Sequence, residues 1–168
     1  IPIQHGNRIL WRIFKMKKVG FIGLGNMGLP MAANLLKAGI EIDAFDISKE
    51  SLQEAKKLGM NVKDSPNGVL ENLDALITML PSNNAVNDVF IEGDILEKLD
   101  RKVLVIESST ISPSLAKTVA AKAVLNEISI LDAPVSGGVK GAELGTLTFI
   151  VGGKKPDLEK ASFLFDIM

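Results

Sequence analysis

The chain has 168 residues, which is enough for one domain with a hydrophobic core and short for two. Hydrophobic residues make up 46% of the chain, which excludes a disordered protein. The formal net charge is −1, which excludes an overall positive field that would attract nucleic acid. No cysteine is present, so disulfides and thiolate metal sites are excluded, and no metal site is expected. No apolar run reaches the roughly 18 residues of a membrane span.

The first 16 residues differ in composition from the rest of the chain. They are basic, with Arg8, Arg12 and Lys15 among them, whereas the first acidic residue of the chain is Glu41. Two interpretations stay open: residues 1–15 are a transit segment, which would place the protein in the mitochondrial matrix, or they are a leader before a start at Met16, which would leave it cytoplasmic. We therefore keep this tail apart from the fold.

From Lys18 onward, short apolar runs alternate with runs of helical period. Strands are predicted over 18–22, 40–45, 61–64, 73–80, 102–108, 128–135 and 147–153. Helices are predicted over 26–39, 48–59, 112–127 and 155–168, the last of them truncated by the end of the chain. This alternation predicts one α/β domain over 17–168, with a doubly wound, mostly parallel sheet of the Rossmann type.

The loop after the first strand contains glycine at positions 23, 25 and 28, the G-x-G-x-x-G spacing of a dinucleotide-binding turn. In such a turn Gly23 permits the tight bend, Gly25 has no Cβ to block a pyrophosphate, and Gly28 lets the helix pack close to the strand. The first N–H groups of the helix would then face the phosphates. The alternative is that the three glycines are plain turn residues.

An acidic residue also stands where this kind of site needs one. Asp46 lies 18 residues after Gly28, just past the second predicted strand. Its carboxylate can accept hydrogen bonds from ribose hydroxyls and would repel a 2′-phosphate, which favours NAD over NADP. Lys49 is close enough in sequence to soften that preference. The alternative for Asp46 is a cap before the next helix.

The chain resembles the 3-hydroxyisobutyrate dehydrogenase group of the β-hydroxyacid dehydrogenases in four stretches: KVGFIGLGNMGLPMAANLLKAG, ITMLPS, ESST and DAPVSGGVKGAELGTLTFIVGG. The resemblance covers residues 17–168, and DAPVSGG is its most specific run. It implies that the cofactor-binding residues are Gly23, Leu24, Gly25, Asn26, Met27, Gly28, Asp46, Leu80, Pro81, Asn84 and Thr110. It also implies that Ser136, Gly137 and Gly138 bind the carboxylate of the substrate.

The Ser-Gly-Gly run has a physical reason to bind a carboxylate. A serine hydroxyl and successive glycine N–H groups after a strand can form a small anion-binding concavity. Such a site would fix the substrate so that its hydroxyl-bearing carbon faces the nicotinamide ring. The alternative is an ordinary turn at the end of a strand, which Ser-Gly-Gly also suits.

The resemblance implies an oxidoreductase that oxidises 3-hydroxyisobutyrate, in valine breakdown, or a similar short 3-hydroxy acid to the semialdehyde with NAD. It also implies a catalytic lysine beyond Met168, at the start of a C-terminal helical domain absent from this chain. We therefore expect no catalytic residue here, and an inactive fragment of a full-length homo-oligomer. Two alternatives stay open: an NADP-linked tartronate semialdehyde (2-hydroxy-3-oxopropionate) or succinic semialdehyde reductase, and a non-catalytic dinucleotide-binding module.

Overall fold

A computed structural model describes residues 16–168, so the tail at 1–15 lies outside the described residues. Six parallel strands form the main sheet in the order β3-β2-β1-β4-β5-β6, which confirms the predicted doubly wound α/β fold. These strands are β1 Lys18–Ile22, β2 Glu41–Phe45, β3 Asn61–Val62, β4 Ala75–Thr78, β5 Leu104–Glu107 and β6 Ser129–Asp132. Strands β2 and β3 lie on one side of β1, and strands β4 to β6 lie on the other side. The strand order therefore reverses between β1 and β4, and the carboxyl ends of these two strands border a crevice.

Helices cover both faces of this sheet. They are α1 Gly28–Lys37, α2 Lys49–Leu58, α3 Asn83–Asn87, α4 Ile95–Lys98, α5 Pro113–Leu125, α6 Gly138–Leu144 and α7 Lys155–Phe165. One core cluster packs α1, α2, α6 and α7 against the sheet, and the other packs α3, α4 and α5 against the opposite face. Because both faces are covered, β4 and β5 are buried at every position, which the nearly all-apolar sequence of β4 predicts.

The end of the chain departs from the predicted seventh strand over 147–153. Instead, β7 Val135–Ser136 and β8 Thr148–Phe149 pair antiparallel as a separate two-stranded sheet. The predicted sixth strand over 128–135 divides at Pro134, which has no N–H to continue the ladder of β6. A single antiparallel bridge between Asp132 and Gly152 ties this hairpin to the edge of the main sheet.

Five helical segments of the described chain were not predicted, namely α3, α4, α6, a 3-10 helix at Pro66–Val69 and a π-helical turn at Asp88–Glu92 between α3 and α4. Each has seven residues or fewer, which is too short to establish a helical period in the sequence. The last helix ends at Phe165 rather than 168, and Met168 is buried in the core. Within residues 16–168, no helix combines the length and apolar character that crossing a bilayer requires.

A buried carboxylate joins three neighbouring strands at one edge of the sheet. The Asp43 side chain in β2 is fully buried, and its Oδ2 lies 3.0 Å from Nζ of Lys18 and 3.2 Å from Nζ of Lys63. Asn61 in β3 donates to Oδ1 of Asp43 at 3.1 Å. The carboxylate therefore has the cationic partners and hydrogen bond that a buried charge needs.

We expect Asp43→Ala to lower the free energy of unfolding by about 3 kcal/mol, since the substitution breaks a buried ion-pair network. Urea unfolding measures the change. The matched control is Lys57→Ala, which breaks an exposed pair with Glu54 on α2 and should change stability by less than about 0.5 kcal/mol. Equal effects of the two substitutions would contradict a structural role for the Asp43 network.

Candidate functional site

A cleft of about 910 Å³ opens at the carboxyl ends of β1, β2 and β4. It lies where the strand order reverses, the position at which doubly wound sheets bind ligands. Eight of the residues predicted to bind a cofactor line it: Gly23, Gly25, Asn26, Met27, Gly28, Asp46, Leu80 and Pro81.

The three loop glycines serve different steric purposes. Gly23 has a φ of +97°, and a Cβ there would overlap the carbonyl oxygen of Met79. A Cβ at Gly28 would overlap the carbonyl oxygen of Gly23, so the start of α1 touches the end of β1 backbone to backbone. At Gly25 a Cβ would meet no atom within 4 Å, because that direction points into open space. Gly23 and Gly28 are thus required by packing, whereas Gly25 leaves space for a ligand.

Three residues that line the cleft have backbone donors without a protein acceptor. Within the described part of the chain, the backbone N–H groups of Gly25, Asn26 and Met27 have no hydrogen-bond acceptor. The ten-residue helix α1 begins immediately after them without a side-chain cap. Free N–H groups and the positive end of a helix dipole together favour an anion at this position.

Asp46 connects the glycine loop to the next helix. Its Oδ2 accepts a hydrogen bond of 2.6 Å from the N–H of Leu24, and its Oδ1 accepts one of 2.7 Å from the N–H of Ser48. Each carboxylate oxygen can accept a further bond, so the predicted ribose contact stays compatible with this geometry. Leu24 itself is buried and its N–H is engaged, so it supports the loop from beneath and does not line the cleft.

Besides Leu24, five of the predicted site residues do not line the cleft. Asn84 on α3 and Thr110 after β5 are exposed to solvent. Ser136, Gly137 and Gly138 lie where β7 meets α6, and both glycines have positive φ, +137° and +64°. This turn is exposed, and its role in carboxylate binding stays a prediction.

The structure adds cleft residues that the sequence interpretation missed. Ile47 directly follows Asp46 and is 93% exposed, and the turn containing Pro66 and Asn67 faces the same part of the cleft. Val89 and Ile95 form another part of the wall. The sequence signal for Ile47 was an apolar residue between the polar residues Asp46 and Ser48. No local sequence pattern indicated the other four residues.

Three polar side chains stand next to one another at the carboxyl ends of β4, β5 and β6. The strand register places Thr78 of β4 next to Glu107 of β5, and Glu107 next to Asp132 of β6. Burial, the largest effect, raises the pKa of Glu107 to about 7; hydrogen bonds from Ser109 oppose the rise and the charge of Asp132 adds to it. Burial also raises the pKa of Asp132.

Comparison with known proteins gives a consistent result. The protein-family model described as the NAD binding domain of 6-phosphogluconate dehydrogenase matches residues 18–168. A probable mitochondrial 3-hydroxyisobutyrate dehydrogenase of Dictyostelium discoideum is 42% identical over 153 residues, covering 90% of this chain and 48% of the relative. An NAD-dependent L-serine dehydrogenase of Pseudomonas aeruginosa is 42% identical over 154 residues, covering 91% and 52%.

Solved structures show the same similarity. Mycobacterium tuberculosis 3-hydroxyisobutyrate dehydrogenase with L-serine superposes with a TM-score of 0.88 at 40% identity, covering 92% of this chain and 52% of that one. Psf3 in complex with NADP⁺ and 2-OPP superposes with a TM-score of 0.84 at 28% identity, covering 89% and 53%. The chain spans about half the length of the curated relatives it matches.

The steric difference between two loop glycines is directly testable. Gly28→Ala should lower the free energy of unfolding by about 3 kcal/mol, because its methyl group would overlap the carbonyl of Gly23. Gly25→Ala is the matched control and should change stability by less than about 0.5 kcal/mol, since its methyl group points into the open cleft. Chemical denaturation of both variants measures this, and similar losses would show that the loop geometry is wrong.

Proposed function

The chain belongs to the family described as the NAD binding domain of 6-phosphogluconate dehydrogenase, and on that premise we propose that it is the cofactor domain of a 3-hydroxy-acid dehydrogenase. The full-length protein would oxidise 3-hydroxyisobutyrate, or a similar short 3-hydroxy acid, to the semialdehyde. The observation that carries the proposal is the open space at Gly25 beneath three unpaired N–H groups. A pyrophosphate fits that space because it supplies the missing acceptors and the negative charge.

The cleft chemistry supports NAD rather than NADP. Asp46 places a carboxylate at the ribose end, and no lysine or arginine is among the described residues that line the cleft. A 2′-phosphate would therefore meet negative charge without a compensating cation. The exposed side chain of Ile47 beside Asp46 offers an apolar surface for the adenine ring. The same argument disfavours an NADP-linked semialdehyde reductase.

NAD⁺, when bound, would supply the hydride acceptor for oxidation of the hydroxyl-bearing carbon of the substrate. The loop at 23–28 would hold the pyrophosphate and Asp46 would hold the ribose, while Leu80 and Pro81 line the cleft. Ser136 and the two glycines after it would hold the carboxylate of the substrate. We assign the proton transfer to the lysine that the family resemblance implies beyond Met168.

A second substrate has specific support. One relative is an NAD-dependent L-serine dehydrogenase, and one similar structure is a 3-hydroxyisobutyrate dehydrogenase with L-serine. L-Serine and 3-hydroxyisobutyrate share a carboxylate and a hydroxyl group on the third carbon. A site that holds the carboxylate and presents that carbon to the cofactor would accept either, so L-serine is the second candidate.

Cofactor choice can be tested at Asp46. We expect Asp46→Asn to lower the ratio of NADH affinity to NADPH affinity by about tenfold, because the substitution removes the charge that repels the 2′-phosphate. Fluorescence titration with both nucleotides measures the ratio. Asp166→Ala removes an exposed carboxylate at the end of α7 and should leave the ratio unchanged.

The phosphate position can be tested at Gly25. Gly25→Ala should weaken the binding of both nucleotides at least about tenfold, since its methyl group occupies the phosphate space. Unchanged affinity in this variant would refute the site.

The division between binding and catalysis gives a second test. The purified 168-residue chain should bind NAD⁺ yet form no NADH with 3-hydroxyisobutyrate or L-serine, because loss of a general base alone typically costs about 10² to 10⁴ in rate. Absorbance at the NADH band follows the reaction, and a full-length relative serves as the positive control. Steady NADH formation by this chain would contradict the assignment of the base to a residue beyond Met168.

A further inference from the structure

A chain of hydrogen bonds links a buried carboxyl group to the wall of the cleft. Oε1 of Glu107 accepts a hydrogen bond of 2.9 Å from the N–H of Ser109. Oγ of Ser109 in turn accepts one of 2.8 Å from the N–H of Leu80, which lines the cleft. Glu107 is 2% exposed and Ser109 is fully buried, so water does not compete for these bonds. The loop after β4 is therefore held by groups at the end of β5.

The carboxyl group of Glu107 is only half satisfied. Oε1 accepts a second hydrogen bond, of 3.3 Å, from the hydroxyl of Thr78, whereas the buried Oε2 has no partner. Burial raises the pKa of Glu107, whereas the hydrogen bonds with Ser109 and Thr78 lower it, because these donors bind the carboxylate more strongly than the neutral acid. The protonation state of Glu107 therefore decides how firmly Oε1 holds Ser109.

Glu107 also lines a second cavity, of about 250 Å³, between α5 and the ends of β5 and β6. Two other charged residues line it: Asp132 from β6, which is partly exposed, and Lys117 from α5, which is exposed. The segment after β8 contributes only Gly152 and Gly153. The cavity gives solvent protons a route toward Glu107.

We propose that Glu107 is a positioning residue that makes dinucleotide binding in the cleft depend on pH. The ionised carboxylate accepts most strongly from the N–H of Ser109, and Ser109 then holds Leu80 in place for the ligand. On protonation the hydrogen bond at Oε1 weakens, Ser109 is held less firmly, and the loop after β4 loosens. The inference rests on the proposed function, because the ligand is the dinucleotide of that same cleft.

Independent features agree with this assignment. Burial raises the pKa of Glu107 to about 7, so its ionisation falls within the pH range in which most proteins work. Asp132 stands next to Glu107 in the strand register, and its negative charge opposes the ionised form. The N–H of Leu80 is the amide of a residue that lines the cleft, so a change in its bond to Ser109 lies directly at the ligand site.

The test follows two signals of the 168-residue chain between about pH 5.5 and pH 8.5. In the free protein, the amide resonance of Leu80 should titrate with a midpoint near the pKa of about 7 given for Glu107. By calorimetry, affinity for NAD⁺ should rise about threefold to tenfold as pH rises through that midpoint, because the ionised carboxylate holds Ser109 and Leu80 more firmly. Glu107→Gln, which keeps an acceptor for Ser109 but cannot ionise, should abolish both pH dependences.

Two further variants test separate steps in the series of hydrogen bonds from Glu107 to Leu80. Ser109→Ala removes the hydroxyl that accepts from Leu80, so the Leu80 amide and the NAD⁺ affinity should no longer follow pH even though Glu107 remains. Asp132→Asn removes the neighbouring negative charge, so the midpoint should move to lower pH without loss of the titration. A merely structural role for Glu107 would produce neither result.

The outcomes also separate this inference from the proposed function. If NAD⁺ does not bind at any pH, the proposed function fails, and with it the control of binding by Glu107. If NAD⁺ binds but its affinity is independent of pH, or changes equally in Glu107→Gln, the role of Glu107 is wrong and the proposed function stands. A Leu80 amide that titrates without any change in affinity would likewise overturn the inference.

Discussion

The contact between the start of α1 and the end of β1 is the constraint on which the rest of the site depends. Gly28 meets the carbonyl of Gly23 with no side chain between them, and Gly23 in turn lies against the carbonyl of Met79. These contacts bring the positive end of α1 to the edge of the sheet, where β1 and β4 separate. A helix held further away by side chains would direct its free N–H groups into solvent, and an anion there would gain little from them.

The Asp46 carboxylate serves the fold, and the proposed ribose contact would use the same group. Its bonds to Leu24 and Ser48 draw the glycine loop and the start of α2 together, which fixes the walls at one end of the cleft. Those two donors also keep the carboxylate in place before any ligand arrives. A ribose that bonds to it would therefore meet an oriented acceptor and pay little additional ordering entropy.

The sequence predicted the parts of the molecule that depend on neighbours along the chain. The spacing of Gly23, Gly25 and Gly28 and the position of Asp46 are local patterns, and the structure brings these four residues to one cleft. The hairpin of β7 and β8 was missed because its short antiparallel pairing depends on residues more than ten positions apart. Glu107 was missed because a glutamate at the end of a strand gives no sign of burial until α5 is packed over it.

Most buried charge in this domain is paired, as Asp43 is with two lysines and an asparagine. At the carboxyl end of β5, two buried oxygens of the described residues have neither a hydrogen bond nor an ion pair: Oε2 of Glu107 and Oγ of Ser108. The loop after β1 differs, because Gly25 and Asn26, whose N–H groups lack protein acceptors, are exposed to solvent. Unsatisfied buried polar groups cost stability, so their occurrence at the edge where doubly wound sheets bind ligands agrees with a functional role for Glu107. Under the proposed function, the exposed N–H groups would receive the ligand, and the charge of Glu107 would change that binding through Ser109 and Leu80.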